Sequence, residues 1–362
     1  MSLAVVRSLG SARSARSAQE LEDLEQELVD QYALASLGAG GSDGAVGQER
    51  AVVFEFVRFL SRPLWTADAN DGDRYLTWIR RERGNAKSTA QGKAWVLSRF
   101  YDFLIARYQG DVHALTGCVL NQPIDEFNRP SNVDSSGATR VPPSSEEVEA
   151  LFTAWGPAVE QARKFLPMAR NYVTASLWRR VGLRISETSM LDIRDWRPDL
   201  GDHGKLHLRF GKGSHGRGPK PRLVPAINSV DTLIEWWLVE IRPQFGDDYA
   251  DPDAPMFPSE RHDSLTGFCT RVGPKALREG LADAVGCWLP GWQGRLTPHG
   301  LRHFCASAIY ERGLDIKAIQ DLLGHTFLST TTRYIHVHDE HIERAWAAAN
   351  QRVTARFDEK KE

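Results

Sequence analysis

"KLHLRFGKGSHGRGPKPRLVPAI", residues 205–227, is the stretch on which the fold class turns. Its two ends, "KLHLRFGKG" and "PRLVPAI", are short runs with leucine, valine and isoleucine bounded by glycine and proline, which reads as two strands. Between them "GKGSHGRGPKP" is a basic, glycine-rich hairpin connection. The sequence to either side is helical in pattern, from about residue 144 to 193 and again from about 230. The region is therefore mainly α with a small antiparallel β-sheet. The charge is also uneven: from Gly204 to Val230 no acidic residue occurs, while Lys205, Arg209, Lys212, Arg217, Lys220 and Arg222 are all basic.

Upstream, "NRPSNVDSSGATRVPPSSEE" (128–147) is rich in proline, serine and glycine and reads as an interdomain linker. It closes on Ser144 and Ser145, either of which can cap a helix with glutamates in its first turn. Before the linker, residues 48–128 are helical throughout. "ERAVVFEFVRFLSRP" stops at a proline, and "NDGDRYLTWIRRERG" and "STAQGKAWVLSRFYDFLIARYQG" each stop at a glycine. In the last of these Ala94, Leu97, Tyr101 and Leu104 form an apolar stripe suited to a small bundle. Arg80, Arg81, Arg83, Lys87, Lys93 and Arg99 decorate these helices, and on their own they read as solvated surface. The first 46 residues hold one acidic helix, "AQELEDLEQELVDQYALASL", followed by the flexible-looking "GAGGSDGAVG".

At 362 residues and a formal net charge of −2, the chain is long enough for two or three compact units. No apolar run reaches membrane-spanning length, and the N-terminus lacks the apolar core of a secretory signal. The four cysteines, Cys118, Cys269, Cys287 and Cys305, are scattered without a CxxC pair, which suggests reduced thiols and a cytoplasmic setting. The net charge alone argues against a polyanion partner. Local patches matter more, and the segregation of charge keeps one open.

Four segments carry reactive side chains: "VGLRISETSML" with Arg184 and Glu187, the hairpin with Lys212, "LTPHGLRHFCASAIYERG" with His299, Arg302 and His303, and "LLGHTFLSTTTRYIHVHDEH" with His325 and Tyr334. Each has a plain alternative. Arg184 and Glu187 suit a weak helix-surface ion pair, and Lys212 a solvated hairpin. His299 and His303 have zinc-binding spacing, but Gly300 stands where the metalloprotease motif needs glutamate. His336, His338 and His341 make a histidine tract with only compositional support for metal. Together, two arginines, a lysine, two histidines and a tyrosine suit phosphoryl transfer without metal. The guanidiniums clamp phosphoryl oxygens, a lysine protonates a leaving alkoxide, a histidine takes the phenol proton, and the tyrosine is a covalent nucleophile.

"GLRISE", "GKG…RLVP", "HGLRH" and "LLGH" with a tyrosine nine positions after its histidine resemble, in this order, the signature of the tyrosine recombinase, or phage integrase, family. The resemblance covers roughly residues 48–349, since "STAQGKAWVLSRFYDFL" is similar to the family's core-binding domain and "NQPIDEFNRP" to its linker. Composition sets off a flexible N-terminal extension over 1–46, and the resemblance implies a helical core-binding domain over 47–129, a linker over 130–143, an α+β catalytic domain over 144–340 and a C-terminal tail over 341–362. It further implies Arg184, Lys212, His299, Arg302, His325 and Tyr334 as the catalytic set, with Glu187 in support. The expected partner is double-stranded DNA with a specific site, gripped by a C-shaped clamp. Lys87, Lys93, Arg99, Arg217, Lys220 and Arg222 are the candidate contacts. The expected assembly is a homo-tetramer on two DNA sites, with accessory directionality factors and no metal, cofactor or membrane. Two features depart from the family pattern. The hairpin is longer, so Lys220 competes with Lys212 as general acid, and Val181 stands where a small or hydroxylated residue is common. A type IB topoisomerase-like nicking enzyme and a DNA-binding protein without catalysis are the alternatives. The tail stripe of Ile342, Trp346, Ala349 and Val353 suits docking either on its own domain or on a neighbouring protomer.

Overall fold

The computed structural model describes residues 17–129, 142–211, 221–325 and Thr331. They fall into two compact units on either side of the proline- and serine-rich stretch.

The first unit is all α. Helix α1 (Ala18–Gly38) begins with a reciprocal cap between Ser17 and Glu20. It is not a free extension: Leu28, Val29 and Tyr32 are buried, and Tyr32 packs edge-on against Phe100 and Phe103. The glycine-rich segment expected to be a linker is shorter than it reads. Ser42 accepts a hydrogen bond from the Ala45 backbone amide, so α2 (Asp43–Leu60) starts inside it. Helix α3 (Ala69–Arg81) is capped by Asp68 and Asp71. Helix α4 (Lys87–Thr116) buries the expected stripe of Ala94, Leu97, Tyr101 and Leu104. It passes through Gly110 and stops only at Gly117, whose φ of 72° lies in the left-handed region. Phe56, Tyr75 and Tyr101 meet edge to face at its core.

In the second unit Ser144 and Glu147 cap α5 (Ser145–Glu160), as the serine–glutamate pattern implies. Helix α6 (Phe165–Val181) is its axis, with Val173, Leu177 and Trp178 buried. The short α7 (Ile185–Ser189) follows. Strands β1 (Trp196–Arg197), β2 (Lys205–Leu208) and β3 (Arg222–Pro225) then form an antiparallel sheet in that order. In its register Leu208 faces Arg222 and Leu206 faces Val224. Helix α8 (Val230–Trp236) is extended by further turns to Phe245. A second hairpin, β4 (Pro258–His262) with β5 (Cys269–Arg271), interrupts the helical pattern expected after residue 230. Its strand "PSERH" is largely exposed and lacks apolar alternation, which hides it from periodicity. Helices α9 (Pro274–Trp288), α10 (Pro298–Glu311) and α11 (Ile316–Leu323) complete the unit. Trp155, Trp178, Trp237 and Phe257 anchor one continuous core. Among the described residues no helix is long and apolar enough to cross a membrane.

Candidate active site

Helix α6 ends at Gly182, with φ 65°. A Cβ there would stand 2.5 Å from Leu323 Cδ2 and 3.3 Å from Cys305 Sγ, so glycine is demanded by both backbone and space. The turn it makes delivers Arg184 to the start of α7. From the third position of that helix Glu187 reaches back. It accepts the Arg184 amide at 2.9 Å and the Arg184 guanidinium at 2.6 Å.

Glu187 is not the surface partner its spacing suggests. Its side chain is 1% exposed and also receives both terminal nitrogens of Arg222, at 2.7 and 2.9 Å. Burial alone would raise its carboxyl. The hydrogen bonds and charge of Arg222, and then Arg184, overcome that and hold it at about 2.

Arg302 lies on α10, whose first turn is capped by Thr297. Its side chain is buried and donates to the Gly182 carbonyl, to the Leu323 carbonyl at 2.6 Å and to His325 Nε2 at 2.9 Å. Arg184 donates to the neighbouring Gly324 carbonyl at 3.1 Å. Thus the two guanidiniums hang on adjacent carbonyls of a single turn, and His325 is the next residue. The turn needs Gly324, whose φ is 64°, because a Cβ would stand 2.8 Å from the Arg222 guanidinium.

A guanidinium has no acceptor atom, so His325 Nε2 accepts and Nδ1 carries the proton, donating to Thr331 Oγ1 at 2.9 Å. Burial, then the charges of Arg302, Arg184 and Arg222, push its pKa down to about 3, and the ring is neutral at pH 7. His299 is exposed on the first turn of α10, its ring edge-on to His303 at 4.8 Å. Among the described residues no three histidine, cysteine or acidic side chains cluster as metal ligands.

The structure thus brings Arg184, Glu187, Arg302 and His325 together, with His299 on the same helix as Arg302. Lys212, Tyr334, Arg217 and Lys220 lie outside the described residues, as do His336, His338 and His341. Of the expected DNA contacts, Arg222 is turned inward onto Glu187, because a buried carboxylate shared with Arg184 draws in a second cation. Lys93 is held by Glu55 at 2.6 and 2.8 Å. Arg99 is held by Glu49 at 3.1 Å and stacks over Trp95. Lys87 is exposed at the start of α4. Gly182, Gly324 and Thr331 support the site without having been singled out. The two glycines were visible in "VGLR" and "LLGH", while Thr331 carries no sequence signal that sets it apart from its neighbours.

Residues 145–341 match the Phage integrase family. The chain is 27% identical over 343 residues to tyrosine recombinase XerC of Herpetosiphon aurantiacus, covering 91% of this chain and 97% of that protein. It is 30% identical over 292 residues to tyrosine recombinase XerC of Haemophilus ducreyi, covering 80% and 81%. In fold it is similar to the XerH site-specific recombinase bound to a palindromic difH substrate, with TM-score 0.59, 17% identity, and 92% and 85% covered. It is similar also to a lambda integrase dimer bound to a COC' core site, with TM-score 0.60, 14% identity, and 86% and 95% covered. With the family matched over more than half its length and a relative at 30% identity, the chain belongs to the phage integrase family and is a tyrosine recombinase.

Proposed function

We propose that this recombinase breaks and rejoins duplex DNA at a specific site through a 3'-phosphotyrosyl intermediate and a Holliday junction, without metal or ATP. The observation that carries the reading is the pair of guanidiniums, Arg184 and Arg302, fixed to adjacent carbonyls of the turn that leads into a neutral His325. Such a pair offers preorganised positive charge to a phosphate whose charge grows in a pentacovalent transition state.

Tyr334 attacks the scissile phosphorus as its phenolic proton leaves to His299, and the bond from phosphorus to the 5'-oxygen breaks. Lys212 protonates that oxygen, giving a free 5'-hydroxyl; Lys220 is its competitor for the role. Arg184 and Arg302 stabilise the phosphorane, Glu187 supports Arg184, and His325, accepting from Arg302 and donating to Thr331, orients the Arg302 guanidinium toward the phosphate. The 5'-hydroxyl of a partner duplex then displaces Tyr334, so the bond energy is conserved. Two such exchanges, in a homo-tetramer on two DNA sites, complete recombination of a mobile element, with accessory factors setting direction and the C-terminal tail exchanged between protomers. The protein works in the cytoplasm, at the nucleoid, where its substrate lies. Residues 47–129 contribute phosphate contacts, with Lys87 the surviving candidate of the three named on α4.

Strand exchange on duplexes drawn from the chain's own genomic neighbourhood tests this reading in EDTA and without nucleotide. Rejoined recombinant product under those conditions is the expected result. Activity that needs added divalent metal or ATP overturns it. Replacing the 5'-bridging oxygen by sulfur, which leaves without a proton, should rescue Lys212→Ala; rescue of Lys220→Ala alone would reassign the general acid.

A further inference from the structure

We propose that Arg222 is a positioning residue for catalysis, acting through Glu187 on Arg184. The Glu187 carboxylate takes four hydrogen bonds: the Arg184 amide and one Arg222 nitrogen on Oε2, the Arg184 guanidinium and the other Arg222 nitrogen on Oε1. Four donors fill the lone pairs of a carboxylate, which leaves it one orientation. Arg184 is thereby fixed at both its backbone and its side chain.

The charge balance matters as much as the geometry. A buried Glu187 paired with Arg184 alone would cancel the charge that Arg184 has to offer. With Arg222 sharing the carboxylate, two positive groups face one negative group and a net positive charge remains. The Arg184 side chain is 22% exposed, so that charge stays presented to solvent, whereas Arg222 is 14% exposed and bound on two sides.

Arg222 also contacts the turn that holds both catalytic arginines. It donates to the Leu322 carbonyl at 3.4 Å, and its guanidinium fills the space that a Cβ at Gly324 would take. On the opposite side it is the first paired residue of β3, facing Leu208. One side chain thus ties the β-sheet, the Arg184 turn and the end of α11 together.

The inference rests on the reading that Arg184 stabilises developing phosphate charge, and the test separates the two. Cleavage is timed at saturating DNA on two nicked duplexes, one with a phosphodiester and one with a methylphosphonate at the scissile position. The second lacks a charged non-bridging oxygen and depends less on an arginine. Arg222→Gln should slow phosphodiester cleavage by about a hundredfold, the scale of an ångström misplacement of a catalytic group. It should leave DNA affinity unchanged and slow the methylphosphonate at least about tenfold less. Arg222→Lys, which keeps the charge but loses the fork, should fall between Arg222→Gln and wild type. Equal slowing on both substrates, with the thermal transition lowered, would make Arg222 merely structural and overturn the proposal. Unchanged cleavage with weaker, less salt-dependent DNA binding would overturn it in favour of a phosphate contact. If Arg184→Ala itself slows both substrates equally, the reading of Arg184 falls and the inference with it.

Discussion

Replacing Glu187 by glutamine keeps the shape of the side chain and removes its charge from between two guanidiniums. The depressed carboxyl and the burial of the ion pair each set the size of the effect. The carboxyl is held at about 2 against an ordinary 4.5, and each pKa unit is worth ~1.4 kcal/mol, so its charged form contributes about 3 kcal/mol of stability at pH 7. Breaking a buried ion pair by removing one partner costs about 3–5 kcal/mol, and the partial exposure of Arg184 and Arg222 favours the lower end. The two agree. The pH dependence is more telling than the size. A carboxyl whose folded pKa is depressed adds stability above its unfolded pKa and loses it as pH falls toward the folded one. The contribution of Glu187 should therefore be full above about 4.5 and drop to about 2 kcal/mol at pH 3.5. Urea unfolding of wild type and Glu187→Gln at pH 7 and pH 3.5, followed by tryptophan fluorescence, measures the gap at both. A gap that does not narrow at pH 3.5 would refute the assignment of the stabilisation to the Glu187 charge.

Gly182→Ala should lose about 2–4 kcal/mol in the same assay, combining left-handed strain with the Cβ 2.5 Å from Leu323; a loss under about 1 kcal/mol would show that the turn repacks. For His325, depressed to about 3, the unfolded chain takes up a proton from pH 6.5 downward while the folded chain does not, so stability falls with pH across that window. His325→Gln should flatten the decline between pH 6 and 5 by about 1.2 kcal/mol. Equal slopes for variant and wild type would contradict a buried neutral ring. Lys93→Ala should leave the salt slope of DNA binding unchanged, because its ammonium is committed to Glu55, whereas Lys87→Ala should reduce the slope by about one. The reverse order would return Lys93 to the DNA face.

The features legible in the sequence are those that local chemistry decides alone. Ser144 with Glu147 announces the start of α5, and the strands around the basic hairpin follow from their bounded apolar runs. The misreadings arise where tertiary packing overrides a local signal. Gly110 looks like a stop, yet α4 continues because a helical glycine costs only about 1 kcal/mol and the buried stripe outweighs it. "GAGGSDGAVG" looks like a tether, yet Ser42 caps a helix within it. The acidic α1 looks detachable because its charge is prominent, while Leu28, Val29 and Tyr32 carry its burial. At the site, Arg184, Arg302 and His325 could be named from their motifs. The direction in which Arg222 points could not, since an arginine in a basic segment reads equally as a phosphate contact and as the partner of a distant buried carboxylate. Only the Glu187 geometry separates them.

The proposed strand exchange turns on Tyr334 becoming covalently joined to DNA. The direct measurement uses a nicked duplex whose cleaved strand loses its 5'-hydroxyl fragment by diffusion, trapping the intermediate, and compares wild type with Tyr334→Phe. A denaturant-resistant adduct, linked through the 3'-phosphate at Tyr334, is expected for the wild-type chain and none for the variant. An adduct that persists in Tyr334→Phe would contradict this role of Tyr334.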